Sequence, residues 1–320
     1  MEKRQYRSFK ACKTREPMTK IKFAAVSRNY FNMPIWVAQH CNLFKDEGID
    51  VDIELYEPID EVTERLKDGR VQLAYSVTEH VILNREDDGS LLIIGGNVNK
   101  LAFSLMANNL IKKPEDLRNK IIGVSSLDAG SSSLIMQTLE IHGLYYPKDY
   151  SITEVGPILA RWDKLQNGEI DAGLQGAPLN YIARDQGYTT LIEPRDHFPD
   201  FQFTSLNADE IWVHQNPQTV RSFLRAFIRA HQLFFENKNL MVDIAVKETG
   251  IAKKYAIAAW EEYTTEKILS IDGYANVKGI QTLIDVSALI REIKNRKGAP
   301  ADSYIDHQFL NKAANELESR

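Results

Sequence analysis

The stretch Asp128-Ala129-Gly130-Ser131-Ser132-Ser133 places a glycine and three hydroxyls at the start of a helical pattern. The first backbone N–H groups of a helix have no intrahelical acceptor, and the helix dipole favours negative charge beside them. With hydroxyls added, this arrangement suits a carboxylate, sulfonate or phosphate, although serine at such a position also serves as an ordinary helix cap. Asp128 and Glu79 would oppose a dianion or pair with a cationic group on the ligand, and Arg28 could supply positive charge. Tyr30 and Phe31, in the loop Ser27–Met33, are flat apolar side chains suited to stacking on a planar ligand.

Reactive groups are sparse. Glu79 and His80 are neighbours with acid/base potential. His40 and Cys41 are also adjacent, but side chains at consecutive helical positions point in different directions, so the pair does not make an activated thiol. Cys41 reads instead as a small core residue. The two cysteines, Cys12 and Cys41, form neither a metal motif nor a disulfide framework, and no His/Cys/Asp/Glu spacing suits a metal. No cofactor is implied.

These residues must be positioned by a pattern that occurs twice. Lys20–Val77 and Lys120–Pro178 each read strand, helix, glycine turn, strand, helix, glycine turn, strand. Strands alternating with helices imply parallel βαβ units, and two such units imply two lobes with a cleft between them. Ligands of parallel α/β units sit at the carboxyl ends of the strands. Applied to the first and third strands of each unit, and to the strand near residues 90–98, that rule selects Ser27, Arg28, Asn29, Tyr30, Phe31 and Asn32, and then Ser76, Val77, Thr78, Glu79 and His80. It also selects Asn97 and Asn99, the run Ser125, Ser126, Asp128, Ala129, Gly130, Ser131, Ser132 and Ser133, and finally Gln175, Gly176, Ala177 and Pro178. Trp36 and Trp260 fall within helical apolar patterns and read as core, whereas Trp162 and Trp212 fit either role.

The chain has 320 residues, 43% hydrophobic and 26% charged, as expected of a globular protein of two domains. A net charge of −5 without a basic stripe argues against nucleic acid as a partner. The longest apolar runs, such as Leu91–Gly96, fall far short of a transmembrane segment. Residues 1–17 are basic and polar, lack the apolar core of an export signal, and read as a disordered tail ahead of a second possible start at Met18. The stretch 34–47 reads as one helix opened by Pro34, and 112–119 as a short helix. From Pro217 onward the pattern is helical throughout.

Several segments resemble the substrate-binding proteins of ABC importers for nitrate, sulfonate, taurine and thiamine-pyrimidine compounds. They are MPIWVAQHCNLFKDEGIDVDIE, KKPEDLRNKIIGVSSLDAGSSS, LQNGEIDAGLQGAP and NPQTVRSFLRAFIRAHQLFFEN, in that order along the chain. The resemblance implies an α/β, two-lobed type II periplasmic-binding-protein fold, each lobe a mainly parallel sheet flanked by helices. Lobe one would comprise 18–105 and 206–320, with the extra C-terminal helices, and lobe two 106–205. Hinges would lie near 100–108 and 202–210. The position of the family's glycine before "x-F" holds Asn42, the next best residue for a left-handed turn.

The function implied is closure over a small organic ligand, acidic or heteroaromatic, for uptake through ABC-transporter membrane subunits. Its ligand-binding candidates are Arg28, Asn29, Tyr30, Phe31, Ser76, Thr78, Glu79, His80, Asn97, Asn99, Asp128, Gly130, Ser131, Ser132, Gln175 and Gly176. That role implies a periplasmic or extracytoplasmic location. The N-terminus favours the alternative, a cytoplasmic decarboxylase, lyase or hydrolase on the same fold, with Glu79 and His80 as acid and base. Thiamine-pyrimidine synthases of similar fold carry a histidine at the place of His80, a lysine four residues earlier and a cysteine-rich iron motif. Here the lysine's place is Ser76 and the iron motif is absent, so a Schiff base to pyridoxal phosphate is not expected.

Overall fold

The computed structural model describes residues 18–127, 130–287 and 300–319. The tail expected over 1–17, and Asp128 and Ala129, lie outside the described residues. The strands β1 (Thr19–Val26), β2 (Ile49–Tyr56), β3 (Leu73–Val77), β4 (Leu91–Val98) and β10 (Thr204–Asp209) build a first sheet in the order β2-β1-β3-β10-β4. A second sheet, ordered β7-β6-β8-β5-β9, is built from β5 (Phe103–Ala107), β6 (Ile121–Val124), β7 (Ser151–Glu154), β8 (Ala172–Gly176) and β9 (Thr189–Ile192). The two orders are the same arrangement. In each, three parallel strands of one repeat are followed by an antiparallel strand that has just crossed from the other half, β10 in the first sheet and β5 in the second. All of β5 therefore belongs to the second sheet and all of β10 to the first.

Helices α1 (Met33–His40), α2 (Leu43–Asp46), α3 (Ile59–Lys67) and α4 (Thr78–Glu86) accompany the first repeat, and α5 (Gly130–Ile141), α6 (Ile158–Gln166) and α7 (Leu179–Asp185) the second. The remainder is α8 (Glu210–Gln215), α9 (Pro217–Glu236), α10 (Lys238–Thr249), α11 (Lys253–Thr265), α12 (Val277–Val286) and α13 (Gln308–Glu318). The helix expected over 34–47 is two helices, because Asn42 takes the left-handed conformation (φ +56°) between α1 and α2. The helix expected at 112–119 is one 3-10 turn, Pro114–Leu117.

The apolar side of α9 repeats at three- and four-residue intervals through Val220, Phe223, Phe227, Ala230 and Phe234, and all five are buried. Phe223 stacks between Phe23 of β1 and Phe44 of α2, so this helix closes one face of the first sheet. Helices α3 and α4 cover the other face through Val62, Leu66, Val81 and Ile82. In the second half Met106 packs with Trp162, Leu165 and Leu179, which resolves Trp162 as core. Among the described residues no helix is long and apolar enough to cross a membrane.

Candidate ligand site between the two sheets

The carboxyl ends of both sets of parallel strands face one cavity, with about 550 Å³ of atom-free space partly open to solvent. The first sheet contributes Val26 and Val77, the last residues of β1 and β3, together with Ile59 at the start of α3 and Asn29 and Phe31 from the loop after β1. The second contributes Ser125 just after β6, Ser131 in the first turn of α5, Pro157, Ile158 and Arg161 after β7, and Leu174 of β8. The two crossings supply the floor. Phe103 and Phe203 meet edge to face at 4.8 Å, and Thr204 stands beside them at the beginning of β10.

One end of this apolar space carries charge. Arg161 is only 2% exposed, and the aliphatic part of its side chain lies over Gly173 of β8. A Cβ at Gly173 would come within 2.9 Å of Arg161 Cδ, so glycine is what lets the side chain lie along the sheet. Arg161 Nε donates to the Leu174 carbonyl at 2.7 Å and Nη1 to Ser125 Oγ at 2.8 Å. Burial pulls the guanidinium down to about 10, which leaves it protonated at neutral pH. Ser125 N–H in turn donates to Ser131 Oγ at 3.1 Å, linking the arginine to the first turn of α5.

Of the residues selected from sequence, Asn29, Phe31, Val77, Ser125 and Ser131 line the cavity. Gly130 opens α5, and Ser132 is buried in its first turn. Ser76, Thr78 and Asn97 form a polar layer behind the lining. Asn97 Nδ2 donates to Thr204 Oγ1 at 3.1 Å, the Thr78 and Ser205 hydroxyls lie 3.1 Å apart, and Asn207 Nδ2 donates to Ser76 Oγ at 2.7 Å. Asn99 belongs to the crossing, where its Oδ1 accepts from Gln202 Nε2 at 2.9 Å and its Nδ2 donates to the Tyr274 carbonyl at 2.7 Å. Gln175 and Gly176 are buried within β8 opposite Ser104 and Phe103, and the Gln175 amide meets no hydrogen-bond partner among the described residues.

Other selected residues are directed elsewhere. Arg28 pairs with Glu248 of α10 at 2.8 Å, outside this cavity, so it does not supply the compensating charge expected of it. Tyr30 is fully buried against Tyr263 and Phe234, and so offers no stacking surface. Glu79 is buried in the first turn of α4. His80 sits in a separate groove between α3 and α4, its Nδ1 3.0 Å from Thr63 Oγ1. Burial lowers the His80 pKa, an effect opposed by Asp60. Glu79 and His80 therefore do not converge on the cavity as an acid/base pair.

Sequence reasoning missed Arg161, Val26, Ile59, Pro157, Ile158, Phe103, Phe203, Thr204 and Leu174. The strand-end rule already contained part of the signal, since Ile59 follows β2 and Pro157–Arg161 follow β7, the second strands of each repeat. Thr204 was hidden because β10 runs antiparallel and so presents its beginning, not its end, at the same edge.

The family model described as "NMT1: NMT1/THI5 like" matches residues 29–239. The Bacillus subtilis (strain 168) protein YtlA is 46% identical over 43 residues, 13% of either chain. The formylaminopyrimidine-binding protein of Halalkalibacterium halodurans is 22% identical over 244 residues, covering 73% of this chain and 72% of that one. Among solved structures, the periplasmic nitrate-binding protein NrtA of Synechocystis PCC 6803 superposes with a TM-score of 0.77 at 15% identity, over 95% of this chain and 90% of NrtA. The two-sheet architecture is thus the periplasmic-binding-protein-like fold, one lobe per sheet, and the chain belongs to the NMT1/THI5-like family.

Proposed function

We propose that this protein is a solute-binding protein that closes its two lobes over a small organic ligand and presents it to the membrane subunits of an ABC-type importer. The observation that carries this reading is the cavity itself, which is walled by strand ends of both sheets and floored by the two chain crossings. A ligand touching both walls stabilises the closed arrangement over an open one by its difference in contact energy. The crossings between Val98 and Phe103 and between Ile192 and Thr204 are the natural hinge. Gln202 ties them together, since its Nε2 reaches the Val98 carbonyl at 3.2 Å, Asn99 Oδ1 at 2.9 Å and the Thr204 carbonyl at 2.7 Å. Family membership and the binding-protein relatives support the same role, and a working site outside the cytoplasmic membrane goes with that role.

The test is native mass spectrometry of the purified protein incubated with a metabolite extract and followed over time. A small molecule held one to one and released unchanged is the expected result. A captured molecule that is converted to a product would overturn the binding role in favour of catalysis.

A further inference from the structure

We propose that the molecule taken into this cavity is an organic monoanion, a carboxylate or sulfonate on an apolar body, and that Arg161 is the residue that selects it. This inference rests on the solute-binding reading above. A buried guanidinium without a counter-charge is costly, and proteins compensate it by pairing. Arg161 has hydrogen bonds to a carbonyl and a hydroxyl, but no carboxylate among the described residues lies within ion-pair distance of it. Filling the space over Gly173 does not require a cation, since an unbranched apolar side chain would do it. The charge is therefore directed at something that enters from the cavity.

The groups around Arg161 point to the same chemistry. The hydroxyls of Ser125 and Ser131 lie on the same side, and Ser131 belongs to the first turn of α5, where backbone N–H groups and the helix dipole favour an anion. A guanidinium presents five N–H donors in a planar fork, so donors beyond the two used here can meet a carboxylate or sulfonate oxygen. Beyond this end, Val26, Phe31, Ile59, Val77, Phe103 and Ile158 form apolar walls, and Arg161 is the one ionisable residue of the lining among the described residues. Among the described residues of the lining, a second negative charge would have no cation to meet and an ammonium group no carboxylate. The site therefore selects against dianions and zwitterions and for one charge on an apolar frame.

Calorimetric titration with benzoate, benzenesulfonate, benzamide, benzylamine and taurine tests this directly, because the first four share a ring and comprise two monoanions, a neutral amide and a cation. At least one anion should bind, and benzamide, benzylamine and taurine should bind about 100-fold more weakly, the discrimination expected when a buried charge is met or left unmet. The ratio of benzoate to benzenesulfonate identifies the head group. Arg161→Met should bring the preferred anion down to the level of benzamide, Arg161→Lys should fall between because it keeps the charge and loses the fork, and Ser131→Ala should weaken the anion about tenfold. Circular dichroism establishes that each variant is folded, and if Arg161→Met is not, the wild-type ring series decides alone.

Equal binding of benzamide and the anions, or an anion preference that survives in folded Arg161→Met, would overturn the proposal. The extract experiment separates the two readings. A neutral or cationic molecule captured unchanged would overturn the monoanion and leave the solute-binding role standing. Failure to capture any molecule, with no probe bound, would remove the solute-binding role itself.

Discussion

Arg195, which follows β9 of the second lobe, is ion-paired with Glu262 of α11, and both side chains are largely buried, 18% and 12% exposed. The same carboxylate accepts the Tyr181 hydroxyl from α7, so one residue of the C-terminal helices holds two residues of the other lobe. The contact lies outside the lining of the ligand cavity and supports the relative placement of the lobes independently of any ligand.

Glu262→Gln should therefore loosen the unliganded protein. Hydrogen bonds to charged groups contribute about 1.5–3 kcal/mol, and a double-mutant cycle with Arg195→Met should return a coupling energy of about that size. Small-angle scattering of Glu262→Gln should show a larger radius of gyration than the wild type. Additive effects together with unchanged scattering would mean that the pair does not hold the lobes. The neighbouring Lys254–Asp185 pair, with both side chains more than half exposed, should contribute little.

Tyr30 provides a test of core against ligand contact. Its ring lies 4.8 Å from that of Tyr263, and its hydroxyl has no hydrogen-bond partner among the described residues. Burial raises the pKa of the phenol far above its ordinary value. Tyr30→Phe should leave stability unchanged or raise it by up to about 1 kcal/mol, because a buried unsatisfied hydroxyl is removed. Tyr30→Ala should cost about 3–5 kcal/mol through the cavity it leaves. Urea denaturation measures both, and loss of ligand affinity in a stable Tyr30→Phe protein would return this residue to the site.

Arg225 of α9 donates through Nε to Glu47 at 2.6 Å and through Nη1 to Glu316 of α13, and its Nη2 donates to the Ser222 hydroxyl at 2.9 Å. Glu47 is 1% and Arg225 6% exposed. Arg225→Met alone should destabilise by about 3–5 kcal/mol, because it takes the nearer cation from a buried carboxylate and leaves Arg229 at 4.0 Å. Adding Glu47→Leu should recover most of that loss, since replacing both members of a buried pair by apolar groups is close to neutral. Guanidinium denaturation of the single and double variants checks this, and a double variant as unstable as the single one would contradict it.

His231 should make the protein acid-sensitive. It is fully buried in α9, with Nδ1–H donating to the Ser270 carbonyl at 2.5 Å, and burial lowers its pKa from 6.5 to about 4. Between those values the unfolded chain binds a proton that the folded protein does not, so stability rises with pH through this window and falls as pH drops from 6.5 towards 4. The full swing is about 3 kcal/mol. His80, His142 and His307 are lowered in the same direction, each chiefly by burial. His231→Gln should flatten the loss of stability between pH 7 and pH 4.5 by about 2–3 kcal/mol relative to wild type, and thermal unfolding across that range is the measurement. An unchanged pH profile would show that His231 is not the source.

Much of the scaffold follows from local pattern. The twofold strand–helix repeat, the glycine turns and the left-handed turn at Asn42 depend on side-chain periodicity and backbone preference over a few residues, which a sequence displays directly. The strand-end rule reached Asn29, Phe31, Val77, Ser125 and Ser131 for the same reason, because a loop after a parallel strand has little choice about which edge it occupies. Which way each loop side chain turns is not local. Tyr30 and Phe31 are adjacent, yet one is enclosed by α9 and α11 residues and the other faces the cavity, because packing with segments some two hundred residues away decides between them.

By itself the sequence determined two α/β halves, the loops at their strand ends and the poverty of catalytic groups, all properties of residue type and short spacing. Only the tertiary structure decided that Arg28 pairs with Glu248, that His80 belongs to an outer groove, and that Arg161, one turn into α6, joins Ser125 and Ser131 at the charged end of the cavity. The physical reason is that a helix can be rotated about its axis without changing its own hydrogen bonds. The face that Arg161 presents is set by the fit of α6 over Gly173 and Met106, contacts between residues distant in sequence.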